Sequence, residues 1–251
     1  MKKFHKALVA SAVALAFSAG TIMVAPAPVE AGFGIGDVMG GGKGGQVDVE
    51  GLTERQNNLL TNLVRATQCL AIAADGMNIA AGLGLQTMDT EAANAAADAA
   101  LSGDNDDKLN FAKNVLNPYS DKTVQKNTGK DLSEQVKAKL NSGSEEELQQ
   151  LDAAVKTSKL MRMTSDVFVG AAAMDAVKII KDAGDGIKSA GDAANTCKQI
   201  LNTTKAAKEL LDVRSGVSKM LGSITKEYEK TRKIEVSNEE AKAQMESMAK
   251  Q

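Results

Sequence analysis

Along three long stretches of this chain, small and apolar residues return in alternating steps of four and three. The first runs Leu52, Gln56, Leu59, Leu63, Ala66, Leu70, Ala73, Met77 and Ala80. The second runs Leu160, Met163, Val167, Gly170, Met174 and Val177, and the third Thr203, Ala206, Leu210, Val213, Val217, Met220 and Ile224. A period of 3.5 residues is the seam of packed helices, and a strand cannot use it because strand side chains alternate with a period of two. The repeat predicts an all-α protein: an elongated helical bundle of three long helices plus several short ones, with coiled-coil-like packing.

Cap signals divide the chain in the same way. Thr53…Gln56, Asp131…Glu134, Ser144…Glu147 and Ser237…Glu240 each have the spacing of a capping box, in which a side-chain oxygen takes an orphan helix N–H and the third residue on returns the bond. The first helix is expected to end at Gly82–Gly84. A short Ala-rich helix is expected over Thr90 to Leu101, and another begins at Asp104-Asn105-Asp106 and is halted by Asn117-Pro118. Ser120 to Lys130 reads as polar loop, followed by a short helix through Leu132, Val136 and Leu140. The second long helix is placed at Ser144 to Lys181 and the third at Ile187 to Arg232. Asn238 to Lys250 reads as a terminal amphipathic piece free to fray.

The first 31 residues have a different character. Lys2, Lys3 and Lys6 precede the uncharged run Ala7 to Ala19, and Val29-Glu30-Ala31 supplies small residues at the positions a signal peptidase reads. The expectation is a signal peptide over 1–31, with export to the bacterial periplasm or beyond. An uncleaved anchor is the weaker reading, because Ser11, Ser18, Gly20 and Thr21 dilute the apolar run. Residues 32–50, opening on Gly32 to Gly45, read as a flexible Gly-rich arm. Gly42-Lys43-Gly44 lacks the Ser or Thr that a phosphate loop places after its lysine, and no strand precedes it. Residues 51–251 then form a single helical-bundle domain.

Removing the signal leaves 27 basic against 31 acidic residues. That balance argues against nucleic acid as a partner, since a nucleic-acid binder carries a basic excess. Five aromatics remain, Phe33, Phe111, Tyr119, Phe168 and Tyr228, so the core must be aliphatic and Ala-rich, which suits closely approaching helices.

The residue types that usually carry catalysis are scarce. The single histidine, His5, falls in the signal segment, and histidine is the commonest general acid/base and metal ligand. No catalytic, cofactor or metal residues are expected, and the protein is read as not an enzyme. Asp104 opens a stretch that resembles a calcium loop, but Lys108 and Val115 stand where an EF-hand needs an acid or amide and a glutamate. Asp182, Asp185 and Asp192 read as solvated charges around a helix break. Cys69 and Cys197 are the two cysteines, and an oxidising destination predicts one disulfide between the first and third long helices, with two buried free thiols as the weaker reading.

The expected function is that of an exported, non-enzymatic bundle that mediates protein–protein interaction in the cell envelope, through another envelope protein or a second copy. A membrane-active or pore-forming helical protein is one alternative, suggested by the small-residue runs near Cys69–Leu85 and Val167–Ala176. Membrane contact is not favoured, because Asp75 and Asp175 interrupt those runs short of a spanning length. An apolar-ligand or lipid carrier is the other alternative.

Overall fold

Asp48 opens the first helix by accepting the Gly51 N–H at 2.9 Å, and Gly82 closes it in the left-handed region at φ 67°. Glycine adopts that conformation without a Cβ penalty, which is why the helix stops there. The computed structural model describes residues 48–82, 85–188 and 192–250, all within one compact unit. The expected signal peptide and nearly all of the glycine arm lie outside those residues. Residues 48–50, assigned to the arm from sequence, belong instead to the cap and first turn of α1.

Seven α-helices make up the described fold: α1 Val49–Ala81, α2 Thr90–Ser102, α3 Asn105–Leu116, α4 Lys122–Ser142, α5 Glu145–Gly186, α6 Asp192–Glu229 and α7 Asn238–Ala249. One 3-10 turn, Asn117–Tyr119, follows α3 where Pro118 removes a backbone donor. The all-α expectation holds, as do the three long helices.

α1, α5 and α6 form the central bundle. Arg55 pairs with Asp182 and Ala66 with Ser165, so α1 and α5 run antiparallel. Arg214 meets Ser165, and Arg232 beyond the end of α6 meets Asp152, so α6 is antiparallel to α5 and parallel to α1. α2 and α3 cover α1, α4 lies on α6, and α7 lies on α5. Two large buried clusters fill the interior. One centres on Leu59, Leu63 and Ile179, the other on Leu151, Leu221 and Tyr228.

The stripe of α1 is buried as its period predicts: from Leu52 to Met77 every member is at most 4% exposed. On α5 the expected seam is wrong. Its buried seam runs through Leu151, Val155, Ser158, Ser165, Ala172, Ala176, Ile179 and Ala183, with Thr164, Phe168 and Gly186 buried beside it, while Met174 and Val177 are 63% and 41% exposed. Both sets fit a 3.5 period, so periodicity alone cannot choose between two faces of one helix. On α6 the seam is Cys197, Ile200, Thr204, Ala207, Leu211, Arg214, Ser218 and Leu221. Of the stripe expected there, only Val217, Met220 and Ile224 are buried.

Two of the four expected capping boxes form, at Ser144/Glu147 and Ser237/Glu240, and a third box forms at Asp104/Asp107. Thr53 instead lies inside α1 and donates to the Val49 carbonyl. Asp131 lies inside α4, which begins ten residues earlier than expected. Asp121 caps α4 by accepting the Thr123 N–H at 2.6 Å, so Ser120 to Lys130 is largely helix rather than loop. Packing explains the difference: Gly129 brings α4 so close to α6 that a Cβ there would meet Met220 and Ser223 at 3.3 Å. The C-terminal piece is also more firmly held than expected, with Ala241 and Met248 of α7 buried.

Candidate functional site: an uncovered stripe on α5

Of the residues of α5 expected to face the core, Met174 and Val177 are exposed instead, while Leu160, Met163, Val167 and Gly170 are half-buried along the same stripe. Gly170 sits in the middle of this stripe, and a Cβ added to it would meet nothing within 4 Å. Met174 and Val177 stand exposed a turn further on, and Val167 is half-buried one turn before. A helix that is apolar on two faces has one more packing surface than the bundle uses.

Charges edge this stripe. Arg55 and Asp182 form an ion pair at 2.5 Å between α1 and α5. Asp182 is therefore engaged across helices rather than solvated at a helix break, while Asp185 pairs locally with Lys188. Asp175, next to Met174, has its carboxyl held above the usual range by partial burial, with Lys178 and Arg55 opposing the rise.

Behind the stripe lies a polar layer. Arg214 is 3% exposed; its Nε donates to Ser165 Oγ at 2.9 Å, and its Nη2 stands 2.5 Å from Asp166 Oδ1 as an ion pair. Ser165 donates its own proton to the Ala66 carbonyl at 2.6 Å. Burial works against the Arg214 charge, and Asp166 restores much of it. The serine hydroxyl is thus committed to a carbonyl on one side and a cation on the other. It has no general base and cannot act as an activated nucleophile in this arrangement. The signal for this layer was legible as polar residues at 4-3 positions, but only in the frame that begins at Leu151 and Cys197.

A second uncovered surface is a groove of about 560 Å³ between α3 and α6. Leu109, Leu116, Ala206, Leu210 and Val213 form its apolar lining, and Asp106, Lys113 and Glu209 are among its polar residues. Ala206, Leu210 and Val213 belong to the stripe expected to be buried. They are half-exposed because α4 covers only the later part of that face of α6.

The structure does not bring Cys69 and Cys197 together. Both are buried free thiols. Cys69 packs with Ala66, Phe168 and Met248, whereas Cys197 packs with Leu52, Leu59 and Ile200 near the start of α6. α1 and α6 are parallel, and Cys69 lies level with the region just past Arg214. The two sites are therefore about 20 residues apart in register, ~30 Å at 1.5 Å per residue. A disulfide needs Cα atoms within ~7 Å. Sequence placed both cysteines on packing stripes correctly but carried no information on axial register.

The acids at Asp104–Asp107 act as a helix cap. Asp104 accepts from the Asp106 and Asp107 N–H groups, Asp107 accepts from the Asp104 N–H, and Lys108 Nζ donates to the Gly103 carbonyl. Asp75, which interrupts an otherwise apolar run, accepts the Thr90 N–H and hydroxyl at 2.8 and 2.6 Å and so fixes the start of α2. Among the described residues no helix is long and apolar enough to cross a membrane.

Comparison with known protein families, curated proteins and solved structures finds no match to this chain.

Proposed function

We propose that this protein is a non-catalytic helical-bundle interaction protein of the bacterial cell envelope, exported by its amino-terminal signal, whose α5 accepts a helix of a protein partner. The observation that carries this reading is the stripe of half-buried Val167 and Gly170 and exposed Met174 and Val177, on a helix that already buries a complete seam. A partner helix can approach closely at Gly170, where no side chain intervenes, and Met174 is an adaptable apolar contact. Exposed apolar residues grouped on one face mark interaction surfaces more often than scattered ones do.

The test is a photo-crosslinking residue placed at Met174 in cells, with a control at exposed Lys198 on α6. The reading expects a discrete protein adduct from position 174, lost when Val177→Glu is added, and no such adduct from position 198. Equal labelling at both positions, or none at 174, overturns it. An adduct of twice the chain mass identifies the partner as a second copy.

The α3–α6 groove favours a second reading, an apolar-ligand carrier, since its volume lies within the ~300–1,000 Å³ of small-molecule sites. Mass spectrometry of material extracted from the purified protein tests it. A stoichiometric lipid or other apolar molecule, lost on Leu210→Glu, supports the carrier.

A further inference from the structure

Four sulfur-bearing side chains from three helices pack into one cluster where α7 lies on α5. Cys69 Sγ of α1 lies 3.5 Å from Met248 Sδ of α7, and both residues are at most 5% exposed. Met161 of α5 and Met245 of α7 pack, partly buried, against the same cluster. Met245 and Met248 are one helical turn apart, so both project from one face of α7. Phe168 and Ala66 complete the enclosure.

We propose that Cys69, Met248, Met245 and Met161 form a binding site for one Cu(I) ion. Thiolate and thioether are soft donors and select Cu(I), whereas Ca²⁺ and Mg²⁺ need oxygen donors, which these four side chains do not supply. Charge balance points the same way. Cu(I) binding breaks the Cys69 S–H bond, forms a Cu–S bond and releases the proton to solvent. One monovalent cation replaces another, and the buried site keeps its net charge. A divalent ion such as Zn²⁺ would leave an added positive charge beside Arg65 and Arg214, both of which act electrostatically on Cys69. The three thioethers are neutral and need lose no proton.

Access does not require opening of the bundle. α7 is a 12-residue helix laid against α5, and Met245 and Met161 are only partly buried at its edge. Local lifting of a short helix with few buried contacts lies at the low-energy end of native fluctuations. The second cysteine, Cys197, sits among aliphatic residues in the other cluster and has no methionine among its neighbours there, so it is not part of this site.

The probe is Cu(I) presented as its bicinchoninate complex to the full-length purified protein under anaerobic, reducing conditions. Wild type is expected to withdraw one equivalent and bleach the chromophore, and X-ray absorption of the product should show sulfur-only coordination. Met248→Leu conserves volume and helix propensity, so it should fold normally by circular dichroism. It is expected to weaken Cu(I) uptake on the order of tenfold or more by removing one of four donors. Cys69→Ala should abolish uptake, and Cys197→Ala should behave as wild type. Failure of wild type to withdraw copper, unchanged affinity in Met248→Leu, or loss of uptake in Cys197→Ala overturns the proposal.

Discussion

Arg214 on α6 reaches Ser165 on α5 at 2.9 Å, and Ser165 hands the contact on to the Ala66 carbonyl of α1 at 2.6 Å. One buried hydroxyl thereby links all three long helices, and it fixes their register where the surrounding Ala-rich packing is nearly uniform. Ser165→Ala leaves the Arg214 Nε–H and one buried carbonyl lone pair without their partner. It should cost about 1–3 kcal/mol, the penalty for unsatisfied buried groups, read as a lowered urea midpoint at constant slope. Asp166→Asn should also destabilise, by ~2–3 kcal/mol. It strips the counter-charge from a buried cation, and half exposure of Asp166 places the effect at the low end. Arg214→Met should be the milder change, because charge and desolvation are removed together. An Arg214→Met midpoint below that of Asp166→Asn would contradict this account.

Substitutions along α5 distinguish its two faces. Phe168→Ala, in the buried cluster, should cost ~3–5 kcal/mol. Met174→Gln, on the uncovered stripe, should stay within ~0.5 kcal/mol of wild type. Gly170→Ala should stabilise by ~0.5–1 kcal/mol, since the added methyl enters open space and relieves a mid-helix glycine. Thermal melts of the three variants give the ranking. A loss of 2 kcal/mol or more at Met174 would return that stripe to the core.

Both cysteines should be recovered as free thiols. Protein purified without reductant, denatured and then alkylated should gain two adducts by mass, where a bridged protein would gain none. In the native state Cys69 should resist alkylation at pH 8, because burial pushes its thiol from 9.0 up to about 12 and only the thiolate reacts.

Acid should loosen the start of α5. The Ser144 backbone N–H, then Lys139 and the Ser144 hydroxyl, hold the Glu147 carboxyl down from 4.5 to about 2. A depressed carboxyl contributes stability that is complete above its unfolded pKa and is lost as pH falls through the folded one. Protection of the amides of residues 144–148, relative to their intrinsic exchange rates, should therefore fall between pH 4.5 and 2, and Glu147→Gln should flatten that dependence. An unchanged profile in the variant would assign the effect to another group.

Local chemistry made much of the architecture legible before any contact was known. Gly103, Pro118 and Ser144 act within a few residues of themselves, so the ends of α2 and α3 and the start of α5 could be read to within a turn, whereas α5 runs on to Gly186, past the expected end at Lys181. Thr53 and Asp131 show where the same logic stops. Each has the cap spacing, but an aspartate further upstream, Asp48 or Asp121, had already opened the helix, and a box inside a continuous helix finds its N–H groups taken.

The candidate site was half legible. Val167, Gly170, Met174 and Val177 were found as a stripe from their spacing, yet that spacing could not say whether the stripe faced the bundle or the solvent. The seam through Ser158, Ser165 and Ala172 is faint in the sequence because serine and alanine give a weak apolar signal. Small residues there let α1 approach α5, and that approach turns Met174 outward.

Sequence by itself determined the helical period, most helix ends and an interior built of aliphatic and small side chains, because each depends on interactions within a turn or two. Only the tertiary structure decided which of the two faces of α5 is buried, that α4 extends back to Lys122, and that Cys69 meets Met248 rather than Cys197. Those outcomes depend on the axial register of helices whose contacting residues lie from 49 to 179 positions apart in the chain. That register is fixed by a few long-range contacts, Arg214 with Ser165 and Arg55 with Asp182 among them, which no local pattern encodes.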